Sequence, residues 1–99
     1  MKQYITREQL SELGNTERIL FKDIIQKFSE DSDLLFYKDI NIGLMMAFIL
    51  ESGFRFAIHF GGVLEIDKAD AKGKWGDATN SDLCDKLWQA VKYILSLEK

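Results

Sequence analysis

The chain of 99 residues contains no proline, one cysteine and one histidine. Each scarcity excludes something. With no proline, nothing marks a rigid linker, and 1–99 reads as a single domain. A lone Cys84 makes neither an intrachain disulfide framework nor a cysteine-rich zinc site. No apolar run approaches the roughly 18–20 residues that cross a bilayer. The opening MKQYITREQL has a lysine but no apolar h-region, so no signal peptide is expected and a cytoplasmic location is. A basic excess is also missing: 13 Lys and Arg stand against 16 Asp and Glu, a net charge of -3. Direct nucleic-acid binding or an acidic membrane surface would favour the opposite balance. No repeat or low-complexity segment is visible. What remains is 46% hydrophobic and 12% aromatic, enough to build a core and too much for a disordered chain.

The clearest stretch is Asn80–Leu97. Leu83, Leu87, Val91 and Ile94 recur at helical spacing, widened by Cys84, Trp88 and Leu95. Asp82, Asp85, Lys86, Gln89, Lys92 and Ser96 fall largely on the other side. The pattern predicts an amphipathic helix whose apolar face the rest of the chain must cover, with Thr79 and Asp82 as its capping start.

Upstream, Thr6-Arg7-Glu8-Gln9 fits a capping box for a short helix over about Arg7–Leu13. Gly14 is expected as its left-handed stop. Asn15 or Thr16 then caps a second helix, about Thr16–Ser29. Leu20, Ile24 and Phe28 form its stripe, thickened by Ile19, Phe21 and Ile25. The acidic run Glu30-Asp31-Ser32-Asp33 reads as a solvated loop, with a binding patch as the alternative. Leu34–Tyr37 reads as an extended segment against the core. Asp39 or Asn41 caps a third helix, Ile42–Glu51, whose near absence of a polar face suits deep burial or an oligomer seam. Its methionines read as core packing rather than an adaptable groove. Gly53 ends it.

At Phe54–Phe60 the period changes to two. Phe54, Phe56, Ile58 and Phe60 share one side, and Arg55, Ala57 and His59 the other. Gly61-Gly62 predicts a primed turn, and Val63–Asp67 the returning strand. Asp67–Thr79 reads as a loop or an irregular third strand carrying Trp75. The predicted class is α+β: three N-terminal helices, an antiparallel hairpin sheet of two or three strands, and a long C-terminal helix packed on it (α-α-α-β-β-α).

Signals for chemistry are sparse. His59 can pair with Glu65 or Asp67 across the hairpin, but general-base work needs a partner beside it and none is identifiable. Cys84, in the first turn of a helix, has the dipole that favours a thiolate, yet Leu83, Leu87 and Trp88 around it suit a packed thiol. No metal, cofactor or catalytic residue is expected, and the chain is not expected to be an enzyme. The loop Lys72-Gly73-Lys74-Trp75-Gly76 combines cations, a stacking face and close backbone approach. Its bland reading is a turn with tryptophan plugging the core edge. Its sharper reading is a ligand or partner site of Lys72, Lys74 and Trp75, helped by Arg55 and His59. It lacks the strand-GxxxxGK[ST]-helix context of a phosphate loop.

Two segments resemble a known group. Ile40–Ile49, INIGLMMAFI, is similar to an "SIGQM-x-EFL" helix start. Asp82–Lys92, DLCDKLWQAVK, is similar to "ELCDALWEAVK". Both occur in small uncharacterised proteins of phages and prophages in gut-type bacteria, which also begin with a "T-x-E-Q-x-x-x-L" helix. Leu44 and Ala47 replace the pattern's glutamine and glutamate, making the third helix more apolar. The resemblance carries over no catalytic residue. It implies a small binding protein that inhibits or sequesters a bacterial target in the host cytoplasm, either a host-defence protein or a nucleotide-type small molecule. A protein target would be met by carboxylates such as Glu30, Asp31, Asp33, Asp67, Asp70 and Asp77, and a nucleotide by the basic set. The alternative is a structural or assembly module of a phage particle or host complex, with Ile42–Leu50 as the seam of a homo-oligomer.

Overall fold

The computed structural model describes residues 3–27, 40–59, 63–69, 71–75 and 83–97. The elements run α1 (Arg7–Leu10), α2 (Asn15–Ile25), α3 (Ile42–Glu51), β1 (Arg55–His59), β2 (Val63–Lys68), β3 (Ala71–Trp75) and α4 (Leu83–Leu97). The α+β class holds, with one antiparallel sheet in the order β1-β2-β3. The expected caps of α4, the Gly61-Gly62 turn, the acidic run at 30–33 and the segment Leu34–Tyr37 lie outside the described residues.

Local chemistry sets the helix ends. Thr6 and Gln9 complete the capping box, with Thr6 Oγ1 accepting from the Gln9 amide at 3.0 Å and Gln9 Oε1 from the Thr6 amide at 2.9 Å. α1 closes at Leu10, shorter than expected, and continues as tight turns in which Glu12 and Leu13 donate to Gln9 and Leu10. Gly14 is not a left-handed stop. Its φ of -75° is ordinary, and it is the N-cap of α2 in place of Asn15 or Thr16, its N–H donating to Glu17 at 3.2 Å. Asn41 caps α3, accepting from the Leu44 amide at 2.8 Å. Gly53, at φ 87°, reverses the chain after α3 as only glycine does cheaply. Lys68 adds a positive charge there: its Nζ donates to the Ser52 carbonyl at 3.1 Å and stands 5.5 Å from the Phe54 ring centroid.

The core has α4 at its centre. Leu87, Trp88, Ala90, Val91, Ile94 and Leu95 are fully buried, and α4 packs against α2, α3, β2 and β3. Phe21 of α2 bridges Phe48 of α3 at 5.0 Å and Trp88 at 6.2 Å, centroid to centroid. Lys86, expected on the solvated side of α4, is buried, because neighbours surround this helix on more than one flank. In α2 the buried line is Phe21 and Ile25, with Leu20 and Ile24 at its border. Ile19 is turned to solvent at 61% exposure, so it does not thicken the stripe. α3 commits Met45, Phe48 and Ile49 to the core and leaves Leu50 outside.

The sheet settles one alternative and corrects one expectation. Of the two readings of Asp67–Thr79 the third strand holds, over Ala71–Trp75, and it is regular and in register with β2. The expected apolar face of β1 is only partly covered. Phe54 is buried and Phe56 half-buried, but Ile58 is 47% exposed although Leu64, directly opposite, is fully buried. α4 lies over β2 and β3, while α3 meets β1 at the end where the chain enters it. The far end of β1 lies beyond both helices.

Polar links tie α1 to α4 across the chain. Gln9 Nε2 donates to Asp85 at 2.9 Å. One Glu12 carboxylate oxygen accepts from the Trp88 indole N–H at 3.0 Å and from Lys92 Nζ at 2.8 Å. The Lys92 bond first, and the Trp88 bond second, hold the Glu12 carboxyl below its ordinary range, against a small opposing effect of burial. A depressed folded-state pKa contributes stability above the unfolded carboxylate range of about 4.3, lost as pH falls through the lower folded value. Glu12→Ala should therefore lower stability at neutral pH by about 1–2 kcal/mol, a figure already allowing for solvent around the carboxylate. Urea titrations across pH should show the gap between wild type and variant narrowing below that range. A gap independent of pH would exclude this linkage.

Candidate functional site

Antiparallel pairing puts opposed residues on one face, and the register sorts this sheet into two unlike faces. Toward the helices stand the rows Phe56-Ile66-Gly73 and Ile58-Leu64-Trp75. Away from them stand Arg55-Asp67-Lys72 and Ala57-Glu65-Lys74, with His59 opposite Val63. Four of the five residues singled out by sequence, Arg55, His59, Lys72 and Lys74, thus share the outer face. The fifth, Trp75, is on the inner one.

The outer face is a ladder of alternating charge. Arg55 Nη2 lies 3.3 Å from Asp67 directly across, and His59 Nε2 lies 3.1 Å from Glu65 on the diagonal. Both pairs are solvated, Arg55 being 85% exposed at its side chain, so each is worth about 0–1 kcal/mol and orients more than it stabilises. Lys72 and Lys74 are exposed, and among the described residues no acid lies within ion-pair range of either. Three permanent cations (Arg55, Lys72, Lys74) therefore flank two carboxylates, a local excess of one positive charge in a protein of net charge -3.

Ala57 has the smallest side chain on this face. A shallow depression of about 260 Å³ opens over it, lined by Arg55, Phe56, Ala57, Glu65 and Asp67. Ligand cavities usually run from about 300 Å³ upward and are mostly apolar. This one is smaller, and both charge signs line it.

Trp75 is used differently from the expectation. Its ring meets Tyr93 of α4 edge-on, centroids 5.8 Å apart, and it folds back over Gly73. Tyr93 Oη donates to the Lys72 carbonyl at 3.1 Å, tying β3 to α4. The tryptophan therefore plugs the core edge, and its stacking face is turned away from the cations beside it in sequence.

Cys84 is fully buried in α4, on the helix side of the sheet, while His59 is on the other side. The two form no dyad. Among the described residues no three His, Cys, Asp or Glu side chains converge in a way that holds a metal ion. Asp67 belongs to the outer face; Glu30, Asp31, Asp33, Asp70 and Asp77 lie outside the described residues. The expected pairing of His59 across the hairpin is made with Glu65, while Asp67 pairs with Arg55, so both acids stand between the cations. The signal was the alternation of Val63–Asp67, which puts both acids on the same side.

A Cβ on Gly73 would stand 2.4 Å from Cη2 of Trp75. Gly73→Ala should displace the ring and cost about 1–3 kcal/mol. The same substitution in a Trp75→Ala background should cost far less, and thermal melts of the four-member cycle measure the coupling. Additive effects would mean that Trp75 does not rest on Gly73. No protein-family model matches the chain, and comparison with curated proteins and with solved structures finds no match.

Proposed function

We propose that the chain is a small non-enzymatic binding protein of the phage or prophage type, acting in the cytoplasm of a bacterial host by inhibiting or sequestering a target. The target favoured here is a host protein with an acidic patch, contacted through the outer face of the sheet. One observation carries this reading: the β1-β2-β3 register gathers Arg55, Lys72 and Lys74 on one open face. Two of those cations have no ion-pair partner among the described residues. A fixed pattern of cations with carboxylates between them suits a partner of complementary pattern and discourages others, because each misplaced like charge is repelled.

A nucleotide-type ligand receives less support. Its expected stacking residue, Trp75, packs on Tyr93 on the other face, and the depression over Ala57 is small and presents two carboxylates to an anion. A structural module joined through Ile42–Leu50 would rest on Leu50, at 56% exposure the most open large apolar residue of α3.

Tagged wild-type protein should capture a host protein from bacterial lysate, and Lys72→Glu with Lys74→Glu should weaken that capture at least about tenfold, a loss of about 1.4 kcal/mol. The double variant should melt within a few degrees of wild type, since both side chains are solvated. Thermal shift against cyclic and linear nucleotides at millimolar concentration should give no rise. Unchanged capture by the double variant, or a large shift with one nucleotide, would replace this reading.

A further inference from the structure

The two edges of the sheet are unlike. β3 is guarded: Lys72 and Lys74 stand along it, and Tyr93 occupies the Lys72 carbonyl. Lysines and covering side chains are the devices by which proteins keep edge strands from pairing. Among the described residues β1 has neither, and its one permanent charge, Arg55, stands at its first residue and is drawn toward Asp67 of β2. It contains neither lysine nor proline, its pairing with β2 runs unbroken over five residues, so no bulge twists it away, and its edge residue on the helix face is the exposed Ile58 rather than a charge. Among the described residues no strand pairs with its free side.

We propose that β1 pairs antiparallel with β1 of a second copy of this chain, about a two-fold axis at Ala57, joining two three-stranded sheets into one. The sequence of the strand selects this occupant. Two-fold pairing of Arg55–His59 overlaps fully only when Ala57 faces itself. That register sets Ile58 against Phe56 of the second copy, twice, so the exposed isoleucine covers the half-buried phenylalanine on the helix face. On the outer face it sets Arg55 beside His59 of the second copy, which is held by Glu65 at 3.1 Å. A cation therefore meets a carboxylate-bearing pair. Centring on Phe56 or Ile58 instead would leave part of the strand unpaired. A five-residue seam buries less than the roughly 800 Å² per partner of a stable complex, so the association is weak and reversible. It does not depend on the reading of the outer face, though it would join two such faces into one surface.

The register makes the test specific. Residues facing across an antiparallel pair have Cα atoms about 4.5–5.5 Å apart, within the range a disulfide spans. Under mild oxidation, Ala57→Cys should give a linked dimer at least about tenfold faster than Arg55→Cys, Ile58→Cys or His59→Cys, each of which faces a different residue; the native Cys84 is buried and silent. Sedimentation of the unmodified protein should show mass rising from 11.4 kDa toward twice that with concentration. Ile58→Lys, which adds an inward charge to the edge, should abolish the rise. Fastest linkage at Ile58→Cys, equal rates at all four positions, or a strict monomer at millimolar concentration overturns the proposal. So does a monomer whose capture of a host protein is lost with Ile58→Lys, which would assign the edge to a strand of the target.

Discussion

The fold depends on burying a tryptophan that still needs a hydrogen-bond acceptor. Trp88 is fully buried, and its indole N–H requires a partner. Glu12 supplies it from the turns after α1, and the same oxygen takes Lys92 one helical turn further on. This contact fixes where α1 docks and which way α4 is rotated. The rotation decides the rest: with Trp88 turned toward Phe21 and Glu12, Tyr93 reaches β3 and Ile94 enters the core.

Much of this architecture was legible because chemistry marks boundaries. Asn41 and Gly53 bracket α3, one through a side-chain acceptor and one through a positive φ, and both are readable from residue type. Thr6 and Gln9 mark α1 in the same way. The misreadings share a cause in tertiary context. A helical wheel tells how residues group around α4, not how many neighbours surround it, so Lys86 read as solvated although it is buried. Gly14 carried the signature of a helix stop, but the Glu17 carboxylate recruits it as a cap instead.

The candidate site was half legible for a related reason. Arg55 and His59 were placed correctly by the alternation of β1. Lys72, Lys74 and Trp75 looked like one cluster because they adjoin in sequence and Gly73 suggested a turn. In a strand, neighbours point to opposite faces, so the two lysines go out and Trp75 goes in, over the glycine. Gly73 thus marks the place where a ring needs room, not a bend. The acids of β2 were legible as partners of His59, and the register added that Asp67 faces Arg55 and Lys72.

The central place of α4 also has a consequence in time. A ribosome delivers the chain from its N-terminus, so α1, α2, α3 and the whole sheet are made before α4. Until then Glu12, Phe21, Leu64 and Ile66 border a space with nothing in it. The bonds from Gln9 to Asp85, from Trp88 and Lys92 to Glu12, and from Tyr93 to the Lys72 carbonyl all wait on α4, whereas Phe21 can already meet Phe48. Closure of the core therefore waits until α4 has been made, because that helix occupies its centre.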